Sequence, residues 1–190
     1  DWQRAGGAIA KAASKVRAAK LTIALPPEID TADARAVLDG VAFGNYRFDR
    51  FRSAPDGPAH STLSTVALVG GGPAGAALTA IDVVNTHVNA ARDLANTPGN
   101  HLPPQELAAY ATRLAAAIPG LSCTVLGPKE LTKLGANALM CVAQGSVNPA
   151  QMIVLRWRPK TTRTDEVLGL VGKAVTFDTG GISIKPSGGM

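Results

Sequence analysis

Cysteine, aromatic side chains and charge are all scarce in this sequence of 190 residues. It holds 2 cysteines, 4% aromatic residues and 17% charged residues, against 46% apolar residues. This composition excludes a disordered or collagen-like chain, because it supplies enough aliphatic side chains for a core. Cys123 and Cys141 lie in apolar surroundings without a CxxC partner, which predicts buried thiols in a reducing compartment and leaves a disulfide open.

Long apolar runs are missing as well. No segment approaches the ~18 to 20 continuous apolar residues of a membrane span. The first stretch, DWQRAGGAIAKAASKVRAAK, lacks the charged-then-apolar layout of a signal peptide. We therefore expect a soluble, cytoplasmic protein with no membrane partner. The chain begins with Asp rather than Met, a first indication that it is a piece of a longer protein.

A continuous basic stripe is also absent, although the net charge of +5 is compatible with nucleic-acid contact. Arg47, Arg50 and Arg52 form the only tight basic group, and Asp49 interrupts it. Such a group is more typical of a solvated helix face than of a DNA-binding surface. The histidines do not pair with another ligand at metal-binding spacing: His60, His87 and His101.

What the sequence does contain is an alternation of helical and extended patterns. Helices are predicted over residues 5–18, from 32 towards 52 with Thr31 as the N-cap, over 76–96, from 103–104 onwards and over 128–134. Strands are predicted at 21–25, 65–69, 122–126, 152–157 and 167–172. In the long helix one apolar stripe is expected: Ala77, Ile81, Val84, Val88 and Ala91. The alternation predicts an α/β architecture with a mainly parallel sheet.

The stretch VGKAVTFDTGGISIKPSGGM, residues 171–190, places Lys173, Asp178 and Lys185 in a glycine-rich loop after the last predicted strand. In open α/β sheets ligands bind outside the carboxyl ends of the strands, so a site is expected here. Phosphate binding is disfavoured, because Ala174 follows the lysine where a P-loop has Ser or Thr.

Two interpretations of this loop remain open on spacing alone. In a purely structural loop the glycines form tight turns, Asp178 accepts backbone N–H bonds and both lysines face water. In a metal-dependent hydrolase the aspartate binds a divalent cation, and one lysine binds it as the neutral amine after its pKa falls far below ~10.4. A second, protonated lysine would then stabilise an oxyanion.

The same stretch resembles the signature run of the leucyl aminopeptidase family, the cytosolic di-metal aminopeptidases of the M17 type. ARDLANTPGNHLPP (residues 91–104) is similar to the start of that family's catalytic domain, and GSVNPAQMIVLRW (145–157) also fits. NYRFDRFRS (45–53) looks like the late helix of its N-terminal domain. The resemblance covers most of the chain and is strongest from residue 91 onwards.

This resemblance implies a role for each charged residue of the loop. Lys173 matches a metal ligand, Asp178 matches an aspartate that bridges two ions, and Lys185 matches the catalytic lysine that polarises the scissile carbonyl. Two divalent ions, Mn²⁺ or Zn²⁺, are implied in the complete protein. The implied substrates are peptides with a free N-terminus, leucine among the preferred residues, and the implied assembly is a homohexamer. Ala174 stands where a glycine is commoner in the family.

One departure concerns what the chain lacks. The family continues with a further metal-binding aspartate and an Asp-Ala-Glu-Gly-Arg run, which supplies more carboxylate ligands and a catalytic arginine. This run is absent from the sequence. A catalytic ion normally needs about three protein ligands, so we expect the chain alone to be inactive.

The expected organisation is two α/β parts joined by a long helix. Residues 1–75 would be the C-terminal part of the N-terminal α/β domain, 76–98 the linking helix, and 99–190 the truncated start of a mixed-sheet catalytic domain. The alternative functions are a DNA-binding role and a scaffold role without catalysis.

Overall fold

The computed structural model describes residues 1–53, 63–71, 76–161 and 165–189. The fold is mixed α/β, as predicted. Contacts divide the chain into two compact units, Asp1–Asn96 and Thr97–Met190. His60 and residues 72–75 of the predicted glycine-rich segment lie outside the described residues.

Helices and strands alternate in both units. The first unit contains α1 (Trp2–Lys15), β1 (Lys20–Ala24), α2 (Thr31–Asn45), β2 (Thr65–Val69) and α3 (Ala76–Asn96). The second contains α4 (Pro104–Ala117), β3 (Leu121–Leu126), α5 (Pro128–Lys133), α6 (Asn137–Ala143), β4 (Met152–Trp157) and a 3₁₀ turn, Ser187–Gly189. The predicted bounds of β2, α3 and β4 are confirmed.

Both ends of α2 differ from the prediction. Its N-cap is Asp30 rather than Thr31, because the Asp30 carboxylate accepts a hydrogen bond from the Asp33 amide at 2.7 Å. The helix ends at Asn45, since Tyr46 takes extended backbone angles (φ −60°, ψ 135°). The arginines that follow therefore lie outside the helix, and the Arg52 amide donates to the Asp49 carbonyl at 3.1 Å.

The core of the first unit lies where α1 and α2 pack against the sheet of β1 and β2. Glycines let the two helices approach at backbone distance: a Cβ on Gly40 would lie 2.9 Å from the Gln3 carbonyl carbon. The fully or largely buried apolar side chains of this core are Ala10, Ala13, Ile23, Leu25, Ala34, Val37, Val41 and Leu63. Glycine and alanine at the helix contact therefore allow close backbone packing, so this core needs few large aliphatic side chains.

The two sheets differ in strand direction. Strands β1 and β2 pair in parallel, with Lys20 opposite Thr65 and Ala24 opposite Val69. Strands β3 and β4 pair antiparallel, with Leu121 opposite Trp157. The prediction of a mainly parallel sheet is thus wrong for the second unit, because apolar periodicity locates a strand but does not fix its direction.

Helix α3 packs on α2 mainly through polar groups. The Asn85 amide donates to the Asp39 carboxylate at 3.1 Å, and the Arg92 guanidinium donates to the Phe43 carbonyl at 3.1 Å. The same guanidinium lies over the Tyr46 ring, 3.8 Å from its centre. Ile81 of the predicted apolar stripe is buried.

The rest of that stripe is not buried in the first unit. Val84 and Val88 are 45% and 36% exposed. The stripe prediction is therefore wrong for these residues: the buried face of the helix is rotated towards Asn85, which is 6% exposed. Asn85 on this face donates to Asp39 of α2, a polar contact that the spacing of apolar residues does not reveal.

The predicted strand at 167–172 is not a strand. Val167, Leu168, Leu170 and Val171 are between 84% and 102% exposed. Among the described residues no strand pairs with this run, and an extended apolar segment without a neighbouring strand has no partner for its backbone groups.

The cysteines differ from their prediction too. Cys123 is half-buried, Cys141 is exposed, and both are free thiols. Cys141 lies on α6, a helix with no buried residue, so its side chain remains in contact with solvent. Within the described ranges, no helix has the length and apolar content needed to cross a membrane.

Candidate active-site loop

The three charged residues singled out in the sequence lie in one long loop of the second unit. The segment from Asp165 to Pro186 contains neither helix nor strand. Two of the three residues are in direct contact: the Lys185 Nζ atom donates to Asp178 Oδ2 at 3.0 Å. Their side chains are 39% and 55% exposed, so solvent and solutes reach the ion pair.

A turn closed by glycine brings Asp178 and Lys185 together. Asp178 Oδ1 accepts a hydrogen bond from the Gly180 amide at 2.9 Å, and the Lys185 amide donates to the Thr179 carbonyl at 2.8 Å. Gly180 has φ +92°, a conformation that side-chain-bearing residues rarely adopt. A Cβ there would also collide with the Ser183 carbonyl oxygen. Glycine at this position therefore allows the chain to fold back onto the carboxylate.

These contacts make Asp178 a stronger acid. The Gly180 amide hydrogen bond lowers the pKa of Asp178 most, followed by the hydrogen bond and the charge of Lys185. Partial burial opposes the shift, and the charge of Lys173 adds to it. The loop thus keeps Asp178 ionised and surrounded by positive charge, with Lys173 exposed nearby.

The described residues do not complete a metal site. An ionised carboxylate suits a hard divalent cation, and Asp178 supplies one, but it is bound by Lys185 and Gly180. No group of three or more His, Cys, Asp or Glu side chains that could hold a metal occurs within the described part of the chain. One carboxylate and one lysine amine fall short of the three protein ligands typical of a catalytic ion.

Sequence reasoning selected the residues of the loop but missed their contact. Asp178 and Lys185 are seven residues apart in a segment without helix or strand, and this spacing does not specify the distance between their side chains. The Asp-Thr-Gly-Gly run at 178–181 was the available signal, because an aspartate followed two residues later by glycine favours an Asx turn.

Two family models match the chain. Residues 89–190 match the catalytic domain of the cytosol aminopeptidase family, and residues 1–55 match its N-terminal domain. Among related proteins, a probable cytosol aminopeptidase of Brucella anthropi is 36% identical over 196 residues, covering 100% of this chain and 39% of the relative. The Brucella melitensis relative of the same name is 39% identical over 195 residues, covering 100% and 40%.

Solved structures agree in fold. The bottromycin maturation enzyme BotP in complex with Mn superposes with a TM-score of 0.78 at 33% identity, covering 100% of this chain and 39% of that one. A mutant of tomato leucine aminopeptidase superposes with a TM-score of 0.80 at 28% identity, covering 95% and 37%. The chain thus spans well under half the length of the proteins it matches. With its catalytic-domain match extending over residues 89–190, it belongs to the cytosol aminopeptidase family.

Proposed function

We propose that this chain contributes part of a metal-dependent leucyl aminopeptidase, which releases N-terminal residues such as leucine from peptides. The observation that supports it is the contact between Asp178 and Lys185 at 3.0 Å, in the segment matched by the family's catalytic domain. The loop places a carboxylate with a lowered pKa beside an accessible lysine, and perturbed carboxylates next to a charge partner are frequent at functional sites.

Lys185 is the catalytic residue in this proposal. Its Nζ atom already donates to Asp178 at 3.0 Å, and an ammonium group can likewise donate hydrogen bonds to a substrate carbonyl oxygen. Such a donor stabilises the negative charge that develops on that oxygen when the peptide bond is attacked. The side chain is 39% exposed, so a peptide can reach it.

Lys173 and Asp178 are the proposed metal ligands. Two divalent ions, Mn²⁺ or Zn²⁺, are proposed, and the Mn complex of the related enzyme BotP supports manganese. For Lys173 to bind a cation, its amine must be neutral. The remaining ligands would have to come from residues other than the described ones, because these do not complete a metal site.

The domain organisation is also a proposal. Residues 1–75 would belong to the N-terminal domain, 76–98 to a linking helix and 99–190 to the catalytic domain. The family matches at 1–55 and 89–190 support the presence of two domains, and the second match begins within the proposed linking helix. We further propose a homohexamer in the cytoplasm, and the word cytosol in the relatives' names supports the compartment.

A chimaera tests this function directly. In it, the present chain, which aligns over its full length at 39% identity, replaces the matched 40% of the Brucella melitensis relative. We expect manganese-dependent release of leucine from a leucyl amide. Lys185→Met should reduce turnover by at least ~100-fold, the order found for loss of a transition-state donor. Asp178→Asn should also reduce turnover, because it removes a proposed metal ligand.

The matched control is Lys160→Met, which removes an exposed lysine outside the loop. It should leave turnover unchanged. A chimaera that folds and assembles like the intact relative, yet releases no leucine while that relative does, would contradict the proposal.

A further inference from the structure

The turn between α3 and α4 plays no part in the proposed chemistry but is tightly built. The Pro98 carbonyl accepts hydrogen bonds from the amides of both His101, at 2.8 Å, and Leu102, at 3.0 Å. Thr97 is only 9% exposed. Proline fixes one backbone angle of the turn, so residues 97–102 form a stiff support at the start of the second unit.

Gly99 of this turn touches the loop that carries the site residues. A Cβ at Gly99 would lie 2.7 Å from the Thr176 carbonyl oxygen, 3.3 Å from its carbonyl carbon and 3.5 Å from the Phe177 Cβ. The first distance is shorter than van der Waals contact allows. The obstacle is backbone, so no side-chain rotation relieves it, and only glycine fits at the observed distance.

A displacement of the Thr176 backbone would also move Asp178, because the two residues are only two positions apart in the chain. Asp178 follows Thr176 closely along the chain, and its carboxylate is held by the Gly180 amide and by Lys185. The Lys185 amide is in turn bonded to the Thr179 carbonyl. The hydrogen bonds around Asp178 are local to the loop, whereas the Gly99 contact ties the loop to the turn.

We propose that Gly99 is a positioning residue for Asp178 and Lys185. It acts through the Thr176 backbone and itself touches neither substrate nor cation. The importance of this role rests on the proposed function, because that function gives Asp178 and Lys185 their tasks. The contact joins two sequence motifs, NTPGN at 96–100 and VGKAVTFD at 171–178.

NMR spectroscopy of the isotope-labelled 190-residue chain tests this role. In the unmodified chain we expect a nuclear Overhauser effect (NOE) between the Gly99 α protons and the Phe177 β protons. In Gly99→Ala we expect shifted amide signals over residues 176–185 and a shifted Lys185 Nζ signal, because the ion pair with Asp178 is disturbed. The β3–β4 cross-strand NOEs report folding and should persist.

Gly145→Ala is the matched control. A Cβ at Gly145 meets no atom within 4 Å, and its φ is not positive, so the same methyl group is tolerated there. This variant should leave the Lys185 signal intact. Absence of the Gly99–Phe177 NOE in the unmodified chain would overturn the proposal even if Gly99→Ala fails to fold. An unchanged Lys185 signal in folded Gly99→Ala would overturn it as well.

The chimaera assay separates this inference from the proposed function. A chimaera that folds and assembles but releases no leucine contradicts the function, whereas the NMR samples contain neither cation nor substrate. The metal-free spectra decide the role of Gly99 in either case.

Discussion

At the scale of single residues, Asp178 differs from an ordinary surface carboxylate because both of its oxygens are engaged. One accepts the Gly180 amide and the other accepts the Lys185 ammonium group. A cation that binds Asp178 must therefore compete with Lys185. In the metal-free chain the proposed catalytic lysine occupies the position of a counter-ion, and cation binding would free it to face a substrate.

The ion pair predicts a pH dependence. The pKa of Asp178 lies below its ordinary value of 3.8, so its contribution to the folded loop is complete above 3.8 and is lost as the pH falls through the lowered value. We expect Lys185→Met to raise this pKa but not to restore 3.8 fully, because the Gly180 hydrogen bond remains. NMR titration of the Asp178 carboxyl carbon measures it.

The control for this titration is Lys160→Met, which removes a lysine that makes no contact with Asp178. It should leave the midpoint where it is in the unmodified chain. An unchanged midpoint in Lys185→Met would mean that the ion pair does not form in solution.

The sequence indicated candidate site residues but not their arrangement. Lys173, Asp178 and Lys185 could be selected because a charged residue in a glycine-rich loop after an apolar run is chemically suggestive, and because the run resembles a family signature. That Lys185 binds Asp178, while Lys173 acts on it only through its charge, depends on the left-handed backbone of Gly180. Side-chain type and spacing do not determine such a backbone path.

At the scale of secondary-structure elements, the contact of α1 with α2 is the tightest in the first unit. Gly6 of α1 faces the Val37 carbonyl group and the Val41 amide of α2, with a Cβ position only 3.0 Å from the Val41 nitrogen. Its neighbour Gly7 faces more open space, 3.7 Å from the Gly40 carbonyl oxygen. The observed helix contact therefore requires glycine at position 6 but leaves room for a side-chain methyl group at position 7.

Alanine substitution should separate these two glycines. Gly6→Ala places a methyl group against backbone atoms, and we expect it to destabilise the first unit by about 1–3 kcal/mol. Gly7→Ala meets only ordinary contact and should stabilise the helix by about 0.5–1 kcal/mol. Native-state hydrogen exchange of the α1 and α2 amides measures both. Equal effects of the two substitutions would contradict the close helix contact.

Elements were predictable where apolar pattern and chain breakers agree. The run TVALV and the run MIVLRW form strands at the predicted residues, and α3 begins after a glycine-rich segment and ends before Pro98. The run VLGLVG has a similar apolar content but no pairing partner among the described strands, and it stays exposed. A β-strand forms only when a neighbouring strand pairs with its backbone, so the sequence of one segment does not determine whether it becomes a strand.

At the scale of the whole molecule, the exposed apolar run and the incomplete ligand set occur in the same unit. Val171 is 102% exposed, two residues before Lys173. Fully exposed aliphatic side chains in a contiguous run are unusual on the surface of a folded protein. The relatives are more than twice as long as this chain, which covers 39% of the Brucella anthropi protein.

The 190-residue chain alone should therefore hydrolyse no leucyl amide, even with excess Mn²⁺ or Zn²⁺. Attack on the peptide bond needs an ion held by about three protein ligands, and the described residues offer only the Asp178 carboxylate and the Lys173 amine. Spectrophotometric assay of leucyl p-nitroanilide hydrolysis measures this, with the chimaera described above as the positive control. Metal-dependent turnover that is present in the chain, abolished by Lys185→Ala and retained in Lys160→Ala would contradict the expectation. It would mean that the chain by itself assembles a working centre around Asp178, with ligands that its described side chains do not show.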